Sequence, residues 1–182
     1  MEIPGVSQIV QKINDKHLRI LASIGLAIGG LFGMAGSFAP STPLRSLAWG
    51  IDGTGLVMAS ALLTLKFFRE GKEIVAAGFL VFAIGEGVIL SGAACDLPAS
   101  VPSFGAGTAL WAMALALISM PKVFPFFVRI LGIITTILFT ITAGQIFAGI
   151  QLLPISIPLP FFAYPVFVAT FIGWIWALLK RV

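Results

Sequence analysis

The chain has 182 residues, 59% of them hydrophobic and 10% charged, and a mean hydropathy of +1.09. A soluble domain carries about 45–50% apolar and about 25% charged residues, so there are too few charges here to coat a core of ordinary size. Composition argues against a soluble globular fold. It argues equally against a disordered chain, which needs low hydrophobicity and high charge. What remains is an integral membrane protein. The apolar runs are long and rich in Leu, Ala, Ile and Gly, which is the pattern of spanning helices and not of alternating barrel strands.

Residues 1–17 read as a cytoplasmic interfacial segment. Val6, Ile9, Val10 and Ile13 share one helical face, with Gln8, Gln11, Lys12 and Asp15 elsewhere. That pattern fits a short amphipathic helix on the membrane surface, a solvated tail being the alternative. Residues 18–182 read as a single transmembrane domain, all-α and polytopic, with six spans at 18–39, 46–68, 74–95, 104–121, 126–149 and 159–179. Proline, glycine and charge cluster in the separators APSTP, REGKE, DLPASVPS, PKVFP and LLPISIPLP. The first apolar run is longer than that of a signal peptide, and Pro40 would follow a cleavage site poorly, so it reads as a retained span.

Ten of the eleven basic residues fall on one side of this threading: Lys12, Lys16, Arg19, Lys66, Arg69, Lys72, Lys122, Arg129, Lys180 and Arg181. Arg45 alone falls on the other. The positive-inside rule then makes both termini cytoplasmic, in a plasma or bacterial inner membrane. Lys12, Lys16, Arg19, Arg129, Lys180 and Arg181 are expected to meet lipid headgroups, and the basic balance implies anionic lipid, not nucleic acid. Trp49, Trp111, Tyr164, Trp174 and Trp176 fall toward span ends, as interfacial aromatic belts do.

The six spans form three hairpins, and these carry a candidate repeat over 18–68, 74–122 and 126–180. Pro40, Pro98 and Pro154 are spaced by 58 and 56 residues, and Lys66, Lys122 and Lys180 follow them by 26, 24 and 26. The alternative is that any six-span chain obeying the positive-inside rule shows such a beat.

Two of seven acids lie within spans: Asp52 in WGIDGTG and Glu86 in IGEGV. An ionisable residue at mid-membrane is costly and marks a cavity, a partner or a proton site. Asp52 lies 12 residues after Pro40 and Glu86 12 before Pro98, so both reach a similar depth in the outer half. Thr54, Ser91, Thr108, Gln145 and Tyr164 reach the same zone, and Arg45 stands at its rim. Together these eight residues form the expected ion or substrate pathway, opening outward. Structural roles for one or both acids are the rival reading, bonding backbone or a neighbouring Thr or Gln; Asp52 reaching up to interfacial water is another.

Ala22, Gly25, Gly29, Gly33 and Gly36 make a small-residue seam for helix packing, within the chain or between copies. Gly105-Ala106-Gly107 opens the fourth span, where free amides could hold an anion; a plain loop-to-helix transition is the simpler reading. The single histidine, His17, and single cysteine, Cys95, exclude a bis-histidine haem, a histidine-rich metal site and an internal disulfide. No metal or cofactor is expected. No catalytic motif is present, so an enzyme is not expected, an intramembrane lipid hydrolase using the two acids being the remote exception. The expected function is transport of a small solute, cation or proton. The alternative is a non-transporting subunit or stabiliser of a larger membrane complex. Expected partners are the lipid bilayer and either a second copy or a membrane-complex partner.

Overall fold

The computed structural model describes residues 6–93 and 95–180, with side chains from residue 15 onward. Its regular elements are six helices: α1 Val6–Ser37, α2 Thr42–Arg69, α3 Glu73–Gly92, α4 Val101–Ser119, α5 Phe126–Phe147 and α6 Ala163–Leu179. No strand occurs among the described residues. Local chemistry sets the helix ends. Pro43 and Pro102 sit in the first turns of α2 and α4, where a missing N–H costs nothing. Gly71 and Gly149, with φ of 69° and 90°, adopt the left-handed conformation that closes α2 and α5.

Five helices are long and apolar enough to cross a membrane. The sixth, α6, has 17 residues, at the short end of the range for a span. It starts at Ala163, four residues after the expected 159. Residues 150–162 run instead as consecutive turns, held by a hydrogen bond from Tyr164 Oη to the Pro154 carbonyl at 2.9 Å. At the other extreme, α1 is one uninterrupted helix of 32 residues. Residues 6–17 are thus helical, but no turn separates them from the first span. The side chains of its apolar face, and that of Lys12, lie outside the described residues, as does Arg181.

Consecutive helices pack side by side, and α6 closes the bundle against α1. Lipid removes the hydrophobic drive between spans, so close packing and aromatic contacts must hold them together. At the α1–α2 crossing Gly25 and Gly55 face each other; a Cβ on Gly25 would lie 2.7 Å from the Gly55 carbonyl oxygen. At the α3–α4 crossing Gly85 and Gly107 do the same, with a Gly107 Cβ 2.9 Å from the Gly85 carbonyl oxygen. The third hairpin is built differently. Gly173 of α6 receives the Val128 side chain, and α5 packs more extensively on α4 than on α6. The small-residue seam of α1 is therefore occupied within the chain, by α2.

One half of the interior is filled with rings. Phe67, Phe79, Phe124 and Trp174 contact one another, Phe79 and Trp174 at 5.1 Å between centroids. Phe82 continues the stack to Trp111, Phe167 and Phe171. These contacts correct the expectation of interfacial belts for two tryptophans. Trp174 is 1% and Trp111 6% exposed, both in the core. Trp176, 44% exposed beneath Lys180 Nζ at 4.7 Å, does lie on the surface. Depth along a helix is legible in sequence; its rotation is not.

This aromatic half lies at the basic end. Lys66, only 2% exposed, pairs with Glu70, which also holds Lys72 Nζ at 2.6 Å. Arg129 donates from Nε and Nη2 to the Ser119 and Met120 carbonyls, both at 2.8 Å, and so caps the C-terminus of α4. Its expected place at lipid headgroups is at least shared with this internal task. The outer surface is studded with exposed Leu, Ile and Phe, including Leu31, Phe68, Phe126, Phe147 and Ile172. On a soluble protein this would be a sticky patch; on a multi-pass membrane protein it is the lipid face.

Candidate functional site: an acid-bearing cavity

The other half of the bundle holds a cavity of about 90 Å³, ample for ordered water. It lies among the C-terminal half of α1, the N-terminal half of α2, the end of α3 and the starts of α4 and α6. Its mouth is bordered by Thr42, Cys95 and Leu97, and its floor by Leu56, Trp111, Phe167 and Phe171. Beneath the floor the rings of Phe79, Phe82 and Trp174 leave no gap, each being at most 1% exposed.

One face of α2 builds the wall. Arg45, Trp49, Asp52 and Leu56 follow at helical spacing and all line the cavity. Arg45, at the rim, donates from Nη2 to the Ala39 carbonyl at 3.1 Å and lies 5.9 Å over the Trp49 ring; its Nε is buried with no hydrogen-bond partner. Asp52 is accommodated by a glycine notch in α1. A Cβ on Gly33 would stand 2.9 Å from Asp52 Oδ2, and one on Gly29 3.3 Å from Oδ1. From α3, Glu86 reaches the same cavity and is 2% exposed, with Oε1 unpartnered. Asp52 and Glu86 lie within electrostatic reach of each other and of Tyr164. The indole Nε1 of Trp111 is likewise buried and unpartnered.

Asp52, Glu86, Tyr164 and Arg45 are thus brought together. Thr54, Ser91, Thr108 and Gln145 are not. Thr54 is two residues beyond Asp52, so it points to the opposite side of α2 and bonds the Gly50 carbonyl. Ser91 is exposed and bonds the Val88 carbonyl. Thr108 is buried against its own helix, on the Phe104 and Gly105 carbonyls. Gln145 belongs to α5, which contributes no residue to the cavity. Gly105-Ala106-Gly107 lies one turn inside α4, where its amides are used in the helix, so no anion cradle forms.

Trp49, Trp111 and Ser46 were missed by depth reasoning. The α2 face was legible as Arg45, Trp49, Asp52 and Leu56 at i, i+4, i+7 and i+11; no comparable signal marks Trp111. Among the described residues no group of three or more His, Cys, Asp or Glu gathers as a metal site. Compared with known protein families, curated proteins and solved structures, the chain matches none.

Proposed function

We propose that this protein is a small six-span membrane carrier whose binding site is the Asp52–Glu86 cavity. The observation that carries the reading is a buried acid, Glu86, with Oε1 unpartnered, in the wall of a cavity that it shares with a second acid. Burying two carboxylates without a counter-charge is expensive, and a protein that only needed a filled bundle gains nothing from it. A bound cation or proton offsets that cost.

The aromatic floor favours a carrier over an open channel. The cavity reaches one face only, so passage needs a second conformation in which the rings part. In this reading the basic end faces the cytoplasm, as the Lys and Arg bias implies; both termini are then inside and the mouth opens outward. α6 is the sixth span, with the turn segment 150–162 completing its depth. Lys16, Arg19 and Lys180 meet inner-leaflet headgroups. The role is transport and not catalysis.

The test is flux in proteoliposomes carrying a trapped pH dye, under imposed gradients of protons, Na⁺, K⁺ and ammonium. At least one gradient should collapse faster than in empty liposomes, and Glu86→Gln should slow it by about tenfold or more, the scale of a lost charge-assisted contact. Liposomes indistinguishable from empty ones would count against transport and favour the subunit reading. Co-purification of a stoichiometric partner from native membranes would strengthen that alternative.

A further inference from the structure

The walls of the cavity carry information beyond its charge. An inorganic cation stripped of water needs about six or more oxygen ligands at close range. Here the lining is mostly carbon: Trp49, Phe104, Trp111, Tyr164, Phe167 and Phe171 supply much of it, and two carboxylates supply the charge. The other side-chain oxygens of the lining, on Ser37, Thr42, Ser46 and Ser100, lie at helix ends toward the mouth, and the Tyr164 hydroxyl is engaged by the Pro154 carbonyl. Aromatic faces beside an acid are instead the surroundings that stabilise an ammonium ion carrying alkyl groups. The ring quadrupoles attract the cation, the carbon walls accept its apolar part, and the acid takes its N–H groups.

The charge balance points the same way. Asp52 and Glu86 supply the acidic groups of the cavity, and Arg45 stands away from them at the rim. Neither acid forms a salt bridge among the described residues. A cation between the two acids therefore meets groups that no described basic residue pairs with. The cavity, about 90 Å³ and open at its mouth, suits a small occupant.

We propose that the cavity selects a small organic monoammonium ion, its nitrogen between Asp52 and Glu86 and its carbon chain against Trp111, Phe167 and Phe171. This deepens the carrier reading and rests on the same site, yet binding can be measured without transport. The protein in nanodiscs would be titrated calorimetrically with methylammonium, n-propylammonium and n-butylammonium, and in parallel with Na⁺, K⁺ and uncharged n-butanol. Affinity should rise along the alkyl series, with Na⁺, K⁺ and butanol at least about tenfold weaker than the best amine. Glu86→Gln and, independently, Asp52→Asn should each weaken that amine by about tenfold or more. Thr54→Val, on the far side of α2, should leave binding unchanged and shows that any loss is local.

Binding of Na⁺ or K⁺ as tightly as the amines, or of butanol as tightly as butylammonium, would overturn the proposal. So would amine binding indifferent to both acid substitutions. The two readings fail separately. Amine binding without flux removes the carrier and keeps the ammonium site, whereas cation flux without amine binding does the reverse.

Discussion

The two halves of the bundle are made from the same helices and packed by opposite rules. In the basic half, rings from α2, α3 and α6 and the α4–α5 loop interlock, and a charged residue that is buried there, Lys66, has its ion-pair partner in Glu70. In the other half, space is left open and a carboxyl oxygen, an indole N–H and a guanidinium N–H (Glu86 Oε1, Trp111 Nε1 and Arg45 Nε) are buried without partners, whereas the unpartnered buried side-chain atoms away from the cavity, among the described residues, are the serine hydroxyls of Ser23, Ser60 and Ser119. Stability explains the rings and the ion pair of the first half. It does not explain the second, since each unpartnered buried polar group costs about 1–3 kcal/mol. The difference lies in charge: the buried cation of one half is paired, and the buried acids of the other are in no salt bridge among the described residues.

The sharpest break of this comparison is a truncation in the filled half. Trp174→Ala removes the hub of the ring cluster and should cost about 3–5 kcal/mol. Thermal unfolding in detergent would show a large fall in Tm, with loss of the folded bundle as the extreme outcome. A mild effect would mean that the rings do not hold the halves together.

The matching change in the open half should act with the opposite sign. Glu86→Gln removes a buried acid that has no counter-charge, so the empty protein should be stabilised by about 1–3 kcal/mol while cation binding falls. A Tm lowered as far as by Trp174→Ala would make Glu86 a structural residue and erase the contrast between the halves.

A glycine pair sharpens it further. Gly33→Ala places a methyl 2.9 Å from Asp52 Oδ2, so the carboxylate must move; a cost of about 1–3 kcal/mol and weakened binding are expected. Gly50→Ala, on α2 with nothing within 4 Å of its Cβ position, should gain up to ~1 kcal/mol from helix propensity alone. Equal effects at the two positions would rule out the notch.

The smallest effect belongs to the basic end. Burial raises the Glu70 carboxyl, but the hydrogen bonds and charges of Lys66 and Lys72 outweigh it and hold the group below its ordinary 4.5. A depressed folded value means the ion pairs contribute fully above about pH 4.5 and are lost as pH falls through the lower folded value. Glu70→Gln should therefore cost on the order of 1 kcal/mol at neutral pH and flatten the acid limb of a Tm–pH curve. An acid limb unchanged by the substitution would show that the trio adds nothing.

The helices were largely legible because apolar run length and proline or glycine punctuation are local properties. Thr42–Arg69, Glu73–Gly92, Val101–Ser119 and Phe126–Phe147 begin and end within about four residues of the expected spans. Ala163–Leu179 does so as well, and the exception is the unbroken continuation of α1 through residues 6–17. The site was legible by half. Counting residues from Pro40 and Pro98 placed Asp52 and Glu86 at one depth, but it admitted Thr54, Ser91, Thr108 and Gln145 at the same level.

By itself, then, the sequence determined the helical class, the approximate helix bounds, their membrane-spanning hydropathy and the matching position of the two acids along their helices, because run length, hydropathy and rise per residue need no partner. Only the tertiary structure decided which faces meet. Helix rotation depends on packing against neighbours: Gly25 on Gly55, Gly85 on Gly107, rings filling one half and the Gly33 notch receiving Asp52 in the other. That rotation placed Thr54 away from the cavity and Trp111 at its floor. A residue's angle around its helix has meaning only relative to other helices, and those contacts are written nowhere along a single run of sequence.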